Sequence, residues 1–191
     1  QDWRTRFGVG DFPFLIVHLA SFMEVQNTPI QDGWARIRES QYFISRDVKN
    51  AGLASALDIG DAKDIHPKNK QEVGRRLALI ALAETYGQNV ICSGPVFKSM
   101  EIKGKEIVLA FDNVGGGLEA KGDKLTGFAI AGADKNFSYA DARIEGNTVI
   151  VSSPNIAEPS IVYYGWANNP VCNLYNKEGL PAVPFRTNAE K

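Results

Sequence analysis

The sequence predicts an α/β unit followed by a small β-sandwich. Between residues 12 and 86, short apolar runs alternate with stretches of helical periodicity, in the order strand, helix, strand, helix of an open parallel sheet. From the turn-forming pair Gly94-Pro95 onward the pattern changes to short strands joined by tight turns, and eleven of the 18 glycines lie there. The boundary therefore falls between residues 1–92 and residues 93–191.

Phe12-Pro13-Phe14-Leu15-Ile16-Val17-His18-Leu19 is a nearly continuous apolar run, as expected of a strand buried on both faces of a parallel sheet. A helix is predicted to start near Pro29 to Gln31, with Trp34, Ile37, Arg38, Gln41 and Tyr42 at spacings of three and four. Ala54 to Gly60 reads as a second strand ending in a turn. Asn69 followed three residues later by Glu72 is a capping-box pattern. From there Val73, Leu77, Ile80 and Ala81 share a face that Leu79 and Leu82 widen, which predicts a helix covered on more than one side. Two parallel strands and two helices are only half of such a sheet, so a partner segment is expected to complete it.

After residue 93 the predicted strands are Met100 to Phe111, broken by a hairpin turn at Lys103-Gly104-Lys105, then 127–131, 140–144 and 148–151. Glu145-Gly146-Asn147 turns between the last two. Gly115-Gly116-Gly117 precedes neither a helix nor a Lys-Ser/Thr pair and reads as a plain turn.

Composition narrows the function classes. Basic and acidic residues number 21 and 22, a net charge of -1, which lacks the basic excess that nucleic-acid or anionic-membrane partners require. No apolar run approaches the roughly 18 residues of a membrane span. Cys92 and Cys172 make no disulfide framework or metal motif and read as two buried free thiols, with a single bridge between them as the alternative. The opening Gln1-Asp2-Trp3-Arg4 lacks an initiator Met, and the expectation is that processing or deliberate truncation has removed what precedes it, any export signal included.

Acid/base chemistry has few possible carriers, because there are only two histidines. His18, inside the first apolar strand, reads as a half-buried structural residue. His66 lies in the polar loop Asp61-Ala62-Lys63-Asp64-Ile65-His66-Pro67, between a predicted strand end and a helix start, where open α/β sheets collect catalytic groups. A general base needs its imidazole held in one tautomer, and Asp64 is the nearest carboxylate able to do so, with Asp61 in reserve. The competing reading makes Asp64 a favourable charge near a helix start and His66 a surface loop residue. One histidine with scattered carboxylates is no metal-ligand set. No Gly-x-Ser-x-Gly elbow exists, and Ser21, Ser40, Ser45, Ser55 and Ser93 have no motif around them.

Asp58-Ile59-Gly60-Asp61 and the run from Asp64-Ile65-His66-Pro67 to Arg75-Arg76-Leu77-Ala78 closely resemble the closing block of the sialate O-acetylesterase family of SGNH-type hydrolases. Asp2-Trp3-Arg4 with Phe12-Pro13-Phe14 and Leu19-Ala20, and Arg38-Glu39-Ser40-Gln41, resemble earlier family segments. Tyr164 to Pro170, Asn173 to Asn176 and Pro181 to Thr187 resemble its C-terminal signature. The resemblance implies the C-terminal half of a flavodoxin-like SGNH three-layer αβα domain followed by the β-sandwich. It implies a secreted or periplasmic bacterial carbohydrate O-acetylesterase that needs no cofactor. His66 would be the base and Asp64 its partner, acting on acetyl esters of sialic acid or of a polysaccharide.

Two family features are absent: the Gly-Gln-Ser nucleophile block and the Gln-Gly-Glu-Ser block. The missing N-terminal half of the esterase domain would supply them, so this chain alone is expected to be inactive. In the wider superfamily a carboxylate lies three residues before the histidine, where this chain has Lys63, which leaves Asp64, Asp61 or a backbone carbonyl to orient the ring. His18 stands where the family's first strand is expected to carry Gln. Two rivals remain: an acetylxylan esterase-type activity on plant polysaccharide, and a non-catalytic carbohydrate-binding module using Tyr163, Tyr164, Trp166 and Tyr175 as an aromatic platform.

Overall fold

A computed structural model describes residues 1–189, so the last two residues of the unit expected over 93–191 lie outside the described residues. A short helix not foreseen from the sequence, α1 (Asp2–Phe7), opens the chain and ends at Gly8, whose φ of 64° forms a left-handed cap. It is held through Arg4, whose guanidinium donates to the carbonyl oxygens of Phe12, Lys49 and Asn50 just before the two strands that follow. These are β1 (Phe14–Val17) and β2 (Ala51–Ala54), paired in parallel with Phe14 opposite Ala51 and Val17 opposite Ala54.

The second strand therefore precedes the predicted one. Residues 57–59 form a 3₁₀ turn instead, and side chains rather than a ladder satisfy carbonyls of the stretch after β2: Arg76 Nη1 donates to Ser55 O at 2.7 Å and Ser21 Oγ to Leu57 O at 2.6 Å. The connecting helix α2 (Trp34–Asp47) also starts later than predicted. Its first turn is capped from a distance, by Asn168 Oδ1 accepting from Trp34 N at 3.0 Å.

Helix α3 (Lys70–Ile80) follows β2, and its cap is the predicted one: Asn69 Oδ1 accepts from Glu72 N at 3.1 Å. A π-helical turn, Ala81–Thr85, extends it. Against expectation the wide apolar stripe is only partly covered, with Arg76 and Ile80 the buried residues of the helix. Gly52 of β2 has no room for a Cβ because Ile80 packs over it.

The remaining chain is antiparallel. β3 (Val96–Lys103) and β4 (Glu106–Asp112) form the predicted hairpin, joined to β9 (Thr148–Ser152) and β8 (Asp141–Glu145) in the order β3-β4-β9-β8. A second four-stranded sheet runs β12 (Phe185–Arg186), β10 (Ile161–Tyr164), β6 (Phe128–Ala131), β7 (Ser138–Tyr139). A two-stranded sheet pairs β11 (Leu174–Asn176) with β5 (Leu118–Ala120). One core joins them, built by Ile107 and Leu109 of β4, Val149 and Val151 of β9, Phe128 and Ile130 of β6, and Val162 and Tyr164 of β10. This is the alternation of inward side chains that lets two sheets bury their faces against each other.

The crossing between the parallel and antiparallel parts is packed. Gly94 lies against the Pro181 carbonyl with no space for a side chain, Val183 N donates to Pro95 O, and Asn176 Nδ2 donates to Ser93 O. Farther out, Arg38, fully buried in α2, donates to Ala167 O and Asn168 O, while Arg186 of β12 grips Glu39 of α2 at 2.7 and 2.9 Å.

Candidate active site

Because β1 and β2 are parallel, the segments leaving their C-terminal ends share one edge of the sheet, the edge at which α/β folds assemble sites. The segment after β1 carries His18 to Met23, and the one after β2 carries Asp58 to Pro67. The second loop is closed at its base. Arg76 on α3 takes Asp58, just before the loop, through two bonds of 2.6 and 2.8 Å, and Glu72, just after it, at 2.7 Å. Its side chain is 4% exposed, so this paired-charge arrangement is shielded from water. Arg75 and Arg76 hold the Glu72 carboxyl down at about 2, with Arg75 the stronger influence.

Within the loop Asp64 folds back on His66. Its Oδ1 accepts from the His66 backbone N–H at 2.9 Å and lies 3.2 Å from ring Nδ1. A carboxylate can only accept, so the pair assigns the proton to Nδ1 and leaves Nε2 as the free basic atom. The backbone N–H and then the ring hold the Asp64 carboxyl below the usual carboxylate range, so it stays ionised near neutrality. Asp61 is committed elsewhere, accepting from Lys63 N at 2.9 Å and from Lys68 Nζ at 3.1 Å. Of the two carboxylates, Asp64 is the one at the ring. The His66 side chain is 82% exposed. It lines neither of two clefts, one of about 530 Å³ between Tyr42 and Phe43 of α2 and Phe97 and Phe185, another of about 460 Å³ beside Pro29, Tyr139 and Trp166.

His18 is fully buried rather than half-buried. Its Nε2 faces Arg38 O at 3.0 Å, which puts the proton on Nε2 and leaves Nδ1 with no partner. Burial lowers its pKa to about 4, and the Arg38 charge adds to that. The pair Arg38 and Gln41 is structural. Arg38 donates to Leu19 O and Ala20 O besides the two carbonyls named above, and Gln41 Oε1 accepts from Leu19 N, so together they fix the segment after β1. Burial also lowers the Arg38 pKa, to about 10.

The aromatic platform is overturned. Tyr164, Trp166 and Tyr175 are buried, and the half-buried Tyr163 packs against Phe137 and Trp166, so the four rings form no shared open platform for a sugar. Both cysteines are free, though each is half-buried rather than buried. Among the described residues no group of three His, Cys, Asp or Glu side chains could hold a metal ion, and no helix is long and apolar enough to cross a membrane.

Sequence reasoning missed Arg76, Asp58, Asn168 and Tyr175. Only Arg76 carried a local signal, its spacing of four from Glu72 on one helix face.

No family model matches the chain. Curated relatives do: sialate O-acetylesterases of Homo sapiens, 29% identical over 97% of this chain and 40% of their own length, and of Mus musculus, 31% identical over 97% and 39%. The chain is homologous to the sialate O-acetylesterases. A crystal structure of a carbohydrate acetylesterase from Xanthomonas citri matches with a TM-score of 0.91 at 43% identity, covering 99% of this chain and 44% of that one. Sialate O-acetylesterase homology thus extends through both the parallel and the antiparallel parts, and this chain spans about two fifths of the relatives it matches. The mixed α/β architecture is that of a carbohydrate acetylesterase.

Proposed function

We propose that these residues form the C-terminal part of a carbohydrate O-acetylesterase and supply its general base. The observation that carries this reading is the Asp64–His66 pair, with Nε2 free, on the loop leaving the sheet's C-terminal edge in a sialate O-acetylesterase homologue. Asp64 holds the imidazole in the Nδ1–H tautomer and stabilises the imidazolium. His66 Nε2 takes the proton of a serine hydroxyl as that oxygen attacks the acetyl carbonyl. It returns the proton to the sugar oxygen as the tetrahedral intermediate collapses. Water, deprotonated by the same nitrogen, then releases acetate from the acyl-serine.

The serine and the oxyanion donors belong to a segment outside residues 1–191. The open sheet supports this part of the reading. Among the described residues β1 pairs with β2 alone, and its Phe14 and Val17 are exposed, as are Ile37 and Ile44 on α2. Parallel strands of this kind are normally covered on both faces. Further strands on the β1 edge would complete an SGNH-type three-layer domain, with the antiparallel part as a sandwich beside it. The substrate is an acetylated sugar hydroxyl, on sialic acid or on a polysaccharide.

In the longer protein, His66→Ala is expected to lower turnover of an acetyl ester by roughly 10³-fold or more. Near-normal hydrolysis would overturn the assignment. Residues 1–191 alone should hydrolyse 4-nitrophenyl acetate no faster than their own His66→Ala variant. A clear excess would mean that a nucleophile lies within them.

A further inference from the structure

Tyr175 belongs to β11 in the antiparallel part, yet its hydroxyl reaches across to the parallel part and donates to Asp58 Oδ2 at 3.1 Å. The residue is 6% exposed, its backbone is fixed opposite Glu119 of β5, and the Lys121 ammonium lies 3.7 Å from the ring centroid. Asp58 is the residue from which the His66 loop departs, and it shares Arg76 with Glu72 at the loop's far end. Ser21 Oγ and the Ser21 backbone complete the enclosure, the hydroxyl bonded to Leu57 O and the backbone lying against Gly60 so closely that no side chain fits there. From Gly60 to Lys68 the loop has no regular structure of its own, and its side-chain hydrogen bonds are the local ones accepted by Asp61 and Asp64. Its placement is therefore set at its base.

We infer that Tyr175 is a positioning residue for the proposed acetyl transfer, through which the antiparallel part fixes where the His66 loop stands. This rests on the reading of His66 as the base. The physical case is one of pre-organisation. Arg76 holds Asp58 from within the parallel part alone, and the bond from Tyr175 adds an anchor on a separate element. A base displaced by a fraction of an ångström loses alignment with the hydroxyl it must deprotonate, and on the reading above His66 transfers protons rather than holding the sugar. Turnover should then fall without loss of substrate affinity.

Asp58 and Arg76 are poor sites for a test, since removing either strands a buried charge and threatens folding. Tyr175→Phe removes only the hydroxyl and keeps the buried ring. In the longer protein carrying these residues with its serine, Tyr175→Phe is expected to lower kcat for an acetyl ester about tenfold with KM within twofold. The rate is normalised to active sites titrated with a fluorophosphonate, and His66→Ala is run beside it. Unchanged kcat per titrated site, with His66→Ala inactive, would overturn the role of Tyr175 and leave the base assignment standing. A lower apparent rate explained entirely by fewer titrated sites would make Tyr175 merely structural and overturn it too. An active His66→Ala would remove the base, and the positioning role with it.

Discussion

The two histidines occupy opposite tautomers for a single reason: each ring nitrogen that meets an acceptor must carry the proton. In His66 the acceptor is Asp64 at Nδ1, in the open loop; in His18 it is the Arg38 carbonyl at Nε2, in the interior. Burial makes His18 a stability switch. Its pKa is about 4 folded against 6.5 unfolded, so between those values the unfolded chain binds more protons. The stability it contributes is complete above pH 6.5 and is lost as the pH falls through 4. By pH 5 that loss amounts to about 2 kcal/mol, and about 3 kcal/mol by pH 4. His18→Gln, which keeps a donor for the Arg38 carbonyl, should flatten this part of the profile. Urea unfolding at pH 7.5 and pH 5 checks it, and an unaltered slope in the variant would show that other groups set the acid sensitivity. At this scale the sequence made the His66–Asp64 proximity visible, since two residues of spacing in a proline-stiffened loop permit few geometries. Nothing local could show that Asp58 serves Arg76 and Tyr175, partners 18 and 117 residues away.

Among the elements, the two helix caps show why some boundaries are legible and others are not. Asn69 caps α3 through a residue three positions on, so the pattern is written within one turn of chain. Asn168 caps α2 from 134 residues away, and no local signal marks the start at Trp34 rather than Pro29. Losing a cap of this kind typically costs about 1 kcal/mol. Asn69→Ala should cost that much. Asn168→Ala should cost about 2 kcal/mol, because its amide nitrogen also contacts Met23 Sδ and its removal loosens the contact between the two parts. Equal or smaller loss for Asn168→Ala, by urea unfolding at pH 7.5, would mean that the long-range cap is dispensable. The displaced second strand has a related cause. Ala54 to Gly60 is apolar enough to be a strand, but Ser21 and Arg76 claim the carbonyls of Leu57 and Ser55, so the ladder ends at Ala54. Helix α1 is illegible in the sequence because it is only six residues long, its apolar pair Trp3 and Phe7 is exposed rather than packed on a core, and it depends on Arg4 for attachment.

Over the whole molecule, composition and texture foretold a parallel part and an antiparallel part, and both are present. What they could not foretell is how closely the parts are joined. Arg38, Glu39, Asp58 and Trp34 on one side meet Ala167, Arg186, Tyr175 and Asn168 on the other. Such pairings arise between residues distant in sequence and leave no periodicity to read. The joint and the exposed β1 edge fit the proposed design, in which the His66 loop would be anchored from one side and would meet a serine from the other. The central claim is that His66 activates a serine lying outside residues 1–191. It is tested most directly by treating the longer protein with a fluorophosphonate and locating the adduct by peptide mass mapping, with and without His66→Ala. The expected result is one labelled serine outside these residues, modified at least about 100-fold more slowly in the variant. A label on any serine within residues 1–191, or a rate indifferent to His66→Ala, would contradict it.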